Sequence, residues 1–380
     1  MNHPVIVQVE AFPMPYRESN DHDSTRYSCL VRVVDDAGHV GWGEAATIVR
    51  EAASATAVLV RGFADALVGT SASPDSANAT MAAHAWWHGG AGIASFAVSA
   101  IDMALWDLVG HRGGRNLAQL LGASASASLE PIITCHASVS DLDEMTSEMA
   151  EWVLRRGASG IKIAFGKAGA SRLGVELERD IAFMTALRAA VGEHTQIMID
   201  VGPRVGWSVE QAQDRIDSLA PLGLSWLEEP LGARDPDGYR HLHDNARGVL
   251  IAYGEREWNA TGVSEIVSTG TVDVVGLDPG RVEGVSGFRA AAALCARAGV
   301  KANAHAFAGP LVYAASLALS LASEACDEFE LAPRRNELYD IVGAPESHSS
   351  VGRLTALDAP GLGIEVDADR VRAASAASGL

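Results

Sequence analysis

Several features that decide function in other proteins are scarce or missing here. The 380 residues include only four cysteines, Cys29, Cys135, Cys295 and Cys326. They are far apart and never in CxxC spacing, the pattern of a reducing compartment rather than a disulfide scaffold. Basic residues are few: 29 Lys and Arg face 48 Asp and Glu, a net charge of −19. No field remains to attract phosphate backbones or anionic lipid, so nucleic acid and membrane are not expected partners. No stretch of about 18 consecutive apolar residues occurs. The start, MNHPVIVQVEAFPMPYRE, lacks a basic region followed by an apolar run, so a cytoplasmic location is expected. A GxGxxG after a strand and a GxxxxGK[ST] loop are both absent, which removes the best support for nucleotide binding. What is present, 48% hydrophobic and 20% charged residues, is the composition of an ordinary globular protein.

The chain divides by texture. In residues 1–128, PVIVQVEAFPM and SCLVRVVDDAGHVGWGEA read as strands joined by a polar loop from Arg17 to Tyr27, with Asp36-Ala37-Gly38 as a hairpin turn. Helical patterns follow over Ala52–Val68 and Ile93–Leu121, stopped by Gly122. This is a small α+β unit. Residues 129–353 alternate apolar β-rich runs with amphipathic helices. The runs are 131–139, 160–165, 195–200, 224–230, 249–255, 272–278, 300–305 and a weak 327–331. Eight parallel strands joined by helical crossovers close most economically as a TIM-type barrel, with an open doubly wound sheet as the alternative. Residues 354–380 contain PGLGIEV, expected as one more loop and strand returning to the N-terminal unit.

In a parallel barrel the βα loops converge at the C-terminal strand ends, so chemistry is sought there. Those ends read Lys162, Asp200, Glu228 with Glu229, Glu255, Asp278, His305 and Glu330. Asp200, Glu228 and Glu255 fall one βα unit apart, and neighbouring strands lie about 4.8 Å apart. One carboxylate at a strand end merely keeps a loop solvated. Three brought together repel and need a cation, and an all-oxygen set without Cys or His favours Mg²⁺ over zinc. His305 follows Asp278 by one unit, so the carboxylate can hold one imidazole nitrogen and leave the other to move a proton. The remaining histidines have the bland reading, with His22 and His88 in loops that could cover the mouth.

The series GIKIA, MID, WLEEP, YGE, GLD and NAH, preceded by AVSAIDMALWDLVGHRGGRNLAQLLG and followed by PGLGIEV, closely resembles the enolase superfamily, specifically its mandelate racemase-like members, over nearly the whole chain. The resemblance implies an N-terminal capping domain on a modified (β/α)7β barrel. It implies one Mg²⁺ per subunit on Asp200, Glu228 and Glu255, an Asp278–His305 dyad, and Glu330 near the bound carboxylate of a small-molecule substrate. The chemistry implied is removal of a proton α to that carboxylate, with the resulting charge stabilised electrostatically, the pattern for which this superfamily is a standard illustration.

One departure matters. Many relatives carry Lys-x-Lys on the second barrel strand, where this chain has Lys162-Ile163-Ala164. Alanine accepts no proton, so racemases, epimerases and lactonising cycloisomerases are disfavoured, while syn dehydration with His305 as the single acid and base remains. Lys162 is then expected as an electrophile near substrate, or alternatively as a buried partner of a metal ligand. Asp200 is followed by Val201-Gly202-Pro203-Arg204, and Arg204 is a candidate substrate contact. Lys167 in FGKAGAS is another, although a solvated loop lysine is its plainer reading. Polar residues Arg17, Asn20, His22, Asp23 and Arg50 in the capping loops suit a polyhydroxylated acid. Trp86 and Trp87 read as packing for the capping helices. The expectation is a dehydratase acting on an aldonate or aldarate to give a 2-keto-3-deoxy acid, in a homo-oligomer; an isomerase or a binding protein that kept the pocket are the alternatives.

Overall fold

Alternating apolar residues build the first three strands, β1 (Ile6–Glu18), β2 (Ser24–Asp35) and β3 (Val40–Ile48), into one antiparallel sheet. The computed structural model describes residues 4–166, 169–232, 234–345, 349–350 and 352–380. The polar stretch from Arg17 to Tyr27 is mostly strand, not loop: β1 and β2 stay paired out to Glu18 and Ser24. Tyr16 and Glu18 are buried there, so burial overrides a polar composition, and only residues 19–23 form the connection. The Asp36–Gly38 turn forms as expected, with Gly38 at φ +86° and its N–H donating to the Asp35 carbonyl.

Four helices follow: α1 (Arg50–Leu67), α2 (Pro74–His84), α3 (Ile93–Gly113) and α4 (Leu117–Leu121). The expected single helix over 93–121 breaks at Gly114, which adopts φ +60°, and Asn116 then caps α4 through a reciprocal bond with Gln119. Helix α3 crosses β3 at Gly41 and Gly43. A Cβ at either position would come within 2.0 Å of a carbonyl of α3, so only glycine permits this approach. By length and mean hydropathy, 1.5 over its most apolar window, α3 could cross a bilayer, yet 83% of that window is buried inside the protein. Trp86 and Trp87, expected as packing residues, are 75% and 82% exposed and touch each other edge to face.

The second sheet has eight parallel strands, each joined to the next in the chain by one of seven α-helices. In chain order these are β4 (Glu130–His136), α5 (Leu142–Arg156), β5 (Gly160–Phe165), α6 (Leu177–Val191), β6 (Gln196–Val201), α7 (Val209–Leu219), β7 (Leu224–Glu228) and α8 (Pro236–Asp244). Then come β8 (Leu250–Tyr253), α9 (Ala260–Ser268), β9 (Val274–Leu277), α10 (Gly284–Ala298), β10 (Lys301–Ala304), α11 (Pro310–Leu321) and β11 (Glu328–Leu331). Hydrogen-bonded neighbours run β11, β4, β5 and on to β10. Strands β10 and β11 lie together across the seam, where Ala302 donates to Ala325 just ahead of β11. This is the expected (β/α)7β arrangement. The helices dock through apolar faces, as on α7, where Ala212, Ile216 and Leu219 are buried at helical spacing behind a Ser208–Gln211 capping box. Inside the barrel Ile132, Met198, Trp226, Ala252 and Val274 form an apolar floor.

Beyond β11 lie α12 (Leu338–Val342), a two-residue ribbon of β12 (Ser349–Ser350) and β13 (Arg353–Leu354), and α13 (Ala368–Ser378). The PGLGIEV segment does not form the expected strand, because Gly361 and Gly363 sit at φ +67° and +73°. It makes one bridge to Asn116, and Leu362 donates to Asp107 Oδ1 at 2.6 Å. Helix α13 packs on β1, with Ser375 donating to the Pro13 carbonyl. All four cysteines are free and buried thiols.

Candidate active site

Parallel register places Thr134 beside Lys162 and Lys162 beside Met198, so these two polar side chains share the level of the floor residues Met198 and Trp226. One level higher stand His136, Ala164, Asp200 and Glu228, in register on four successive strands. Because strand side chains alternate, residues two and four beyond the floor residues Ile132, Met198 and Trp226 turn to the same interior. Glu228 pairs in register with Ala252, and Glu255 follows at the end of that strand.

The lower level is a buried ion cluster. Lys162 Nζ lies 2.7 Å from Glu228 Oε2 and 2.5 Å from Glu330 Oε1. Glu330 also accepts from Thr134 Oγ1 at 2.9 Å and from the Asn303 amide. Burial alone would strip the Lys162 proton, but Glu228, Glu330 and Asp200 hold it on, above the ordinary lysine range. Lys162 is thus placed beneath Glu228 as its buried partner, and both Glu330 oxygens are taken by protein donors. Neither is displayed as a free group toward the mouth.

The upper level is acidic. Burial pushes the Glu228 carboxyl well above its usual range; Lys162 opposes this, and Asp200, Glu330 and Glu255 add to it. Glu229, at φ +46° and paired with Arg256, is pushed up to about 8 by burial and by Glu255. Among the described residues no three His, Cys, Asp or Glu side chains stand in a formed metal cage. The structure shows instead carboxylates on neighbouring strand ends, with Asp200 and Glu255 among the charges that push Glu228 up. An all-carboxylate set of this kind would suit a hard divalent cation, and Asp200, Glu228 and Glu255 are the residues that could hold one.

His305 stands at the edge of this ring. Its Nδ1 lies 2.9 Å from Asp278 Oδ2, and Gly280 N–H holds the other Asp278 oxygen at 2.7 Å. The Nε2 atom lies 3.8 Å from Glu255 Oε2. Burial would lower the imidazole, but Glu255, Asp278 and Glu330 outweigh it and push His305 up to about 9. The dyad expected from spacing alone is therefore formed, with its outer nitrogen facing the acidic ring.

The expected substrate contacts fare unevenly. His22, Arg50 and Arg204 are exposed, and Lys167 lies outside the described residues. A cavity lined by Asn20, His22, His136 and Arg334 opens beneath the 19–23 loop. Asn20 ties that loop to the segment after β11, donating to the Arg334 carbonyl at 2.8 Å and accepting from Arg334 N–H at 3.0 Å.

Two participants escape the sequence reading. Glu44 in GWGEA reaches from the cap into the barrel, accepting from Gly309 N–H at 2.7 Å and from Val312 N–H at 3.2 Å. It thereby caps α11, which starts just beyond His305. His136 is the other: taking the first barrel strand to 139 hid the fact that it ends on a histidine one βα unit before Ala164.

Comparison with known proteins agrees with this architecture. The family model described as enolase C-terminal domain-like matches residues 144–370, and that of the mandelate racemase / muconate lactonizing enzyme N-terminal domain matches residues 3–122. The chain is 27% identical over 369 residues to a D-galactarolactone cycloisomerase of Agrobacterium fabrum, covering 93% of each protein. It is 31% identical over 311 residues to a D-gluconate dehydratase of Thermoproteus tenax, covering 80% of this chain and 61% of the relative. A crystal structure of an enolase from Bradyrhizobium, complexed with magnesium and mandelic acid, superposes with a TM-score of 0.83 at 23% identity, covering 98% of this chain and 99% of the other.

Proposed function

Because the chain belongs to the enolase superfamily, we propose that it is a Mg²⁺-dependent dehydratase converting an aldonate or aldarate to a 2-keto-3-deoxy acid. The observation that carries this reading is the formed Asp278–His305 dyad beside a ring of carboxylates, with alanine at position 164 where a second-strand lysine would act. The dehydratase relative supports it.

Asp278 accepts from Nδ1 of His305 and so fixes the tautomer with a bare Nε2 toward the ring. Nε2 takes the α-proton, and the resulting imidazolium can return it to a β-hydroxyl departing on the same face. A divalent cation on Asp200, Glu228 and Glu255 would supply positive charge opposite the substrate carboxylate as electrons move onto it, and would offset the acidic field that raises His305. Lys162, itself held by Glu330, holds Glu228 in place from below. Residues 19–23 of the cap meet the barrel side through Asn20–Arg334 and Asp21–His136, and their polar side chains suit a hydroxylated substrate.

Incubating the purified protein with Mg²⁺ and a panel of aldonic and aldaric acids should release a 2-keto acid lighter than its substrate by one water, and His305→Asn should abolish this. Turnover that survives His305→Asn refutes the assignment. The cycloisomerase relative, aligned over most of the chain, favours a second reading. If the leaving oxygen belongs to a ring, the same proton abstraction opens it, and the product keeps the mass of its substrate.

A further inference from the structure

His136 is the side chain at the mouth that this mechanism leaves idle. It ends β4 in register with Ala164, in the level that holds Asp200 and Glu228. Its side chain is 6% exposed, and Nδ1 lies 3.3 Å from Asp21 Oδ1 on the 19–23 loop of the cap. That is ion-pair distance but off hydrogen-bond geometry, so Nδ1 has no fully formed partner. Asp21 is itself oriented by Arg26 at 2.9 Å and by Ser24 at 3.1 Å. The His136 contact, against the opposing effect of burial, and Arg26 hold the Asp21 carboxyl below the usual range. The His136 ring stacks on Phe307, 6.1 Å between centroids and 14° between planes, and the far neighbour of Phe307 is His305, at 6.3 Å. The site thus holds two imidazoles, each with Nδ1 beside a carboxylate, flanking one phenyl ring.

We propose that His136, rather than His305, delivers the proton to the leaving oxygen. This rests on the elimination reading above and replaces His305 by His136 in its second proton transfer. His305 Nε2 takes the α-proton as the Cα–H bond breaks. The Cβ–O bond then breaks, its electron pair leaving with oxygen, which takes a proton from His136 Nε2 and departs as water or as a ring-opened hydroxyl. The Cα–H electrons become the Cα=Cβ bond, the enol rearranges to the 2-keto acid, and solvent restores both imidazoles. Asp21 is the positioning residue: its carboxylate beside Nδ1, with the stack on Phe307, fixes the plane of the ring from which Nε2 donates. The second proton-transfer group that Ala164 cannot provide on the second strand thus comes from the first, and only when the cap loop is seated.

The test separates the two histidines. In D₂O with Mg²⁺ and a turned-over acid, His136→Asn should lose product formation by about 100-fold or more. It should still exchange deuterium into Cα of recovered substrate, whereas His305→Asn loses both. A substrate analogue with fluoride at the β carbon, which leaves without protonation, should narrow the His136→Asn defect. Asp21→Asn, in a half-buried loop, should show a smaller loss with the same split, and serves if His136→Asn does not fold. Exchange and product falling together in either folded variant, or product unaffected in His136→Asn, overturns the proposal. Wild-type protein showing neither exchange nor product with any acid in the panel refutes the elimination reading instead.

Discussion

Glu44 offers a prediction whose size follows from its surroundings. Its carboxylate is fully buried and accepts from Gly309 N–H, Val312 N–H and Ser28 Oγ. Burial nevertheless dominates and pushes it up to about 7, from 4.5 when exposed. Between these values the folded protein keeps a proton that the unfolded chain has lost, so stability falls as pH rises through this window. The slope is about 1.4 kcal/mol per pH unit, a total of about 3 kcal/mol from this one group. Below pH 4.5 both states are protonated, and above 7 both are ionised, so the contribution is flat on either side. Glu44→Gln cannot ionise and should lack the decline. Urea denaturation of wild type and Glu44→Gln at pH 5 and pH 8, followed by tryptophan fluorescence, measures it. The variant should gain about 2.5 kcal/mol relative to wild type on going from the lower pH to the higher, since part of the window lies below pH 5. A difference that stays constant across the two pH values would refute the reasoning, and would mean that the three donors hold Glu44 ionised throughout.

Asp278→Asn presents an amide to His305 Nδ1 in place of the carboxylate at 2.9 Å. It should cost about 10²–10⁴-fold in kcat with an unchanged circular dichroism spectrum, read by steady-state turnover of whichever acid is accepted. Lys162→Met leaves Glu228 and Glu330 facing each other without their shared cation. A loss of about 3–5 kcal/mol in denaturant unfolding is expected, and a loss below about 1 kcal/mol would show that the cluster is not tightly organised. Mg²⁺ at about a hundred times its Kd should stabilise the folded chain by about 2.7 kcal/mol. Thermal shift should report this in wild type and lose it in Asp200→Asn. Gly284→Ala puts a Cβ 2.5 Å from buried Asp102 Oδ2 at φ +77°. It should destabilise the contact between α3 and α10 by at least about 1 kcal/mol in the same unfolding assay.

The barrel was legible because its signals are local and periodic. Each β-rich run bounded by an amphipathic helix stands within a few residues of an observed strand, including the weak 327–331 run, which becomes β11. Chemistry at strand ends was legible for the same reason: one βα unit between Asp278 and His305 translates directly into adjacency. The reading failed where a local pattern was overruled from a distance. Arg17 to Tyr27 looks like a loop throughout, yet both its ends are strand because Tyr16 and Glu18 are buried against the rest of the molecule. PGLGIEV looks like a strand, but its chain direction is set by Gly361 fitting against Asp107.

By itself, then, the sequence determined the alternation of elements, the order of ionisable groups around the mouth and the lack of a base at position 164, since all three depend only on residue type and spacing along the chain. Only the tertiary structure decided which groups are taken and which are left free. Lys162 and Glu330 are neutralised beneath Glu228, His305 leans between Asp278 and Glu255, and His136 meets Asp21 across more than a hundred residues of chain. Charge and hydrogen bonding act through space, and that distance is settled when the cap folds down on the barrel.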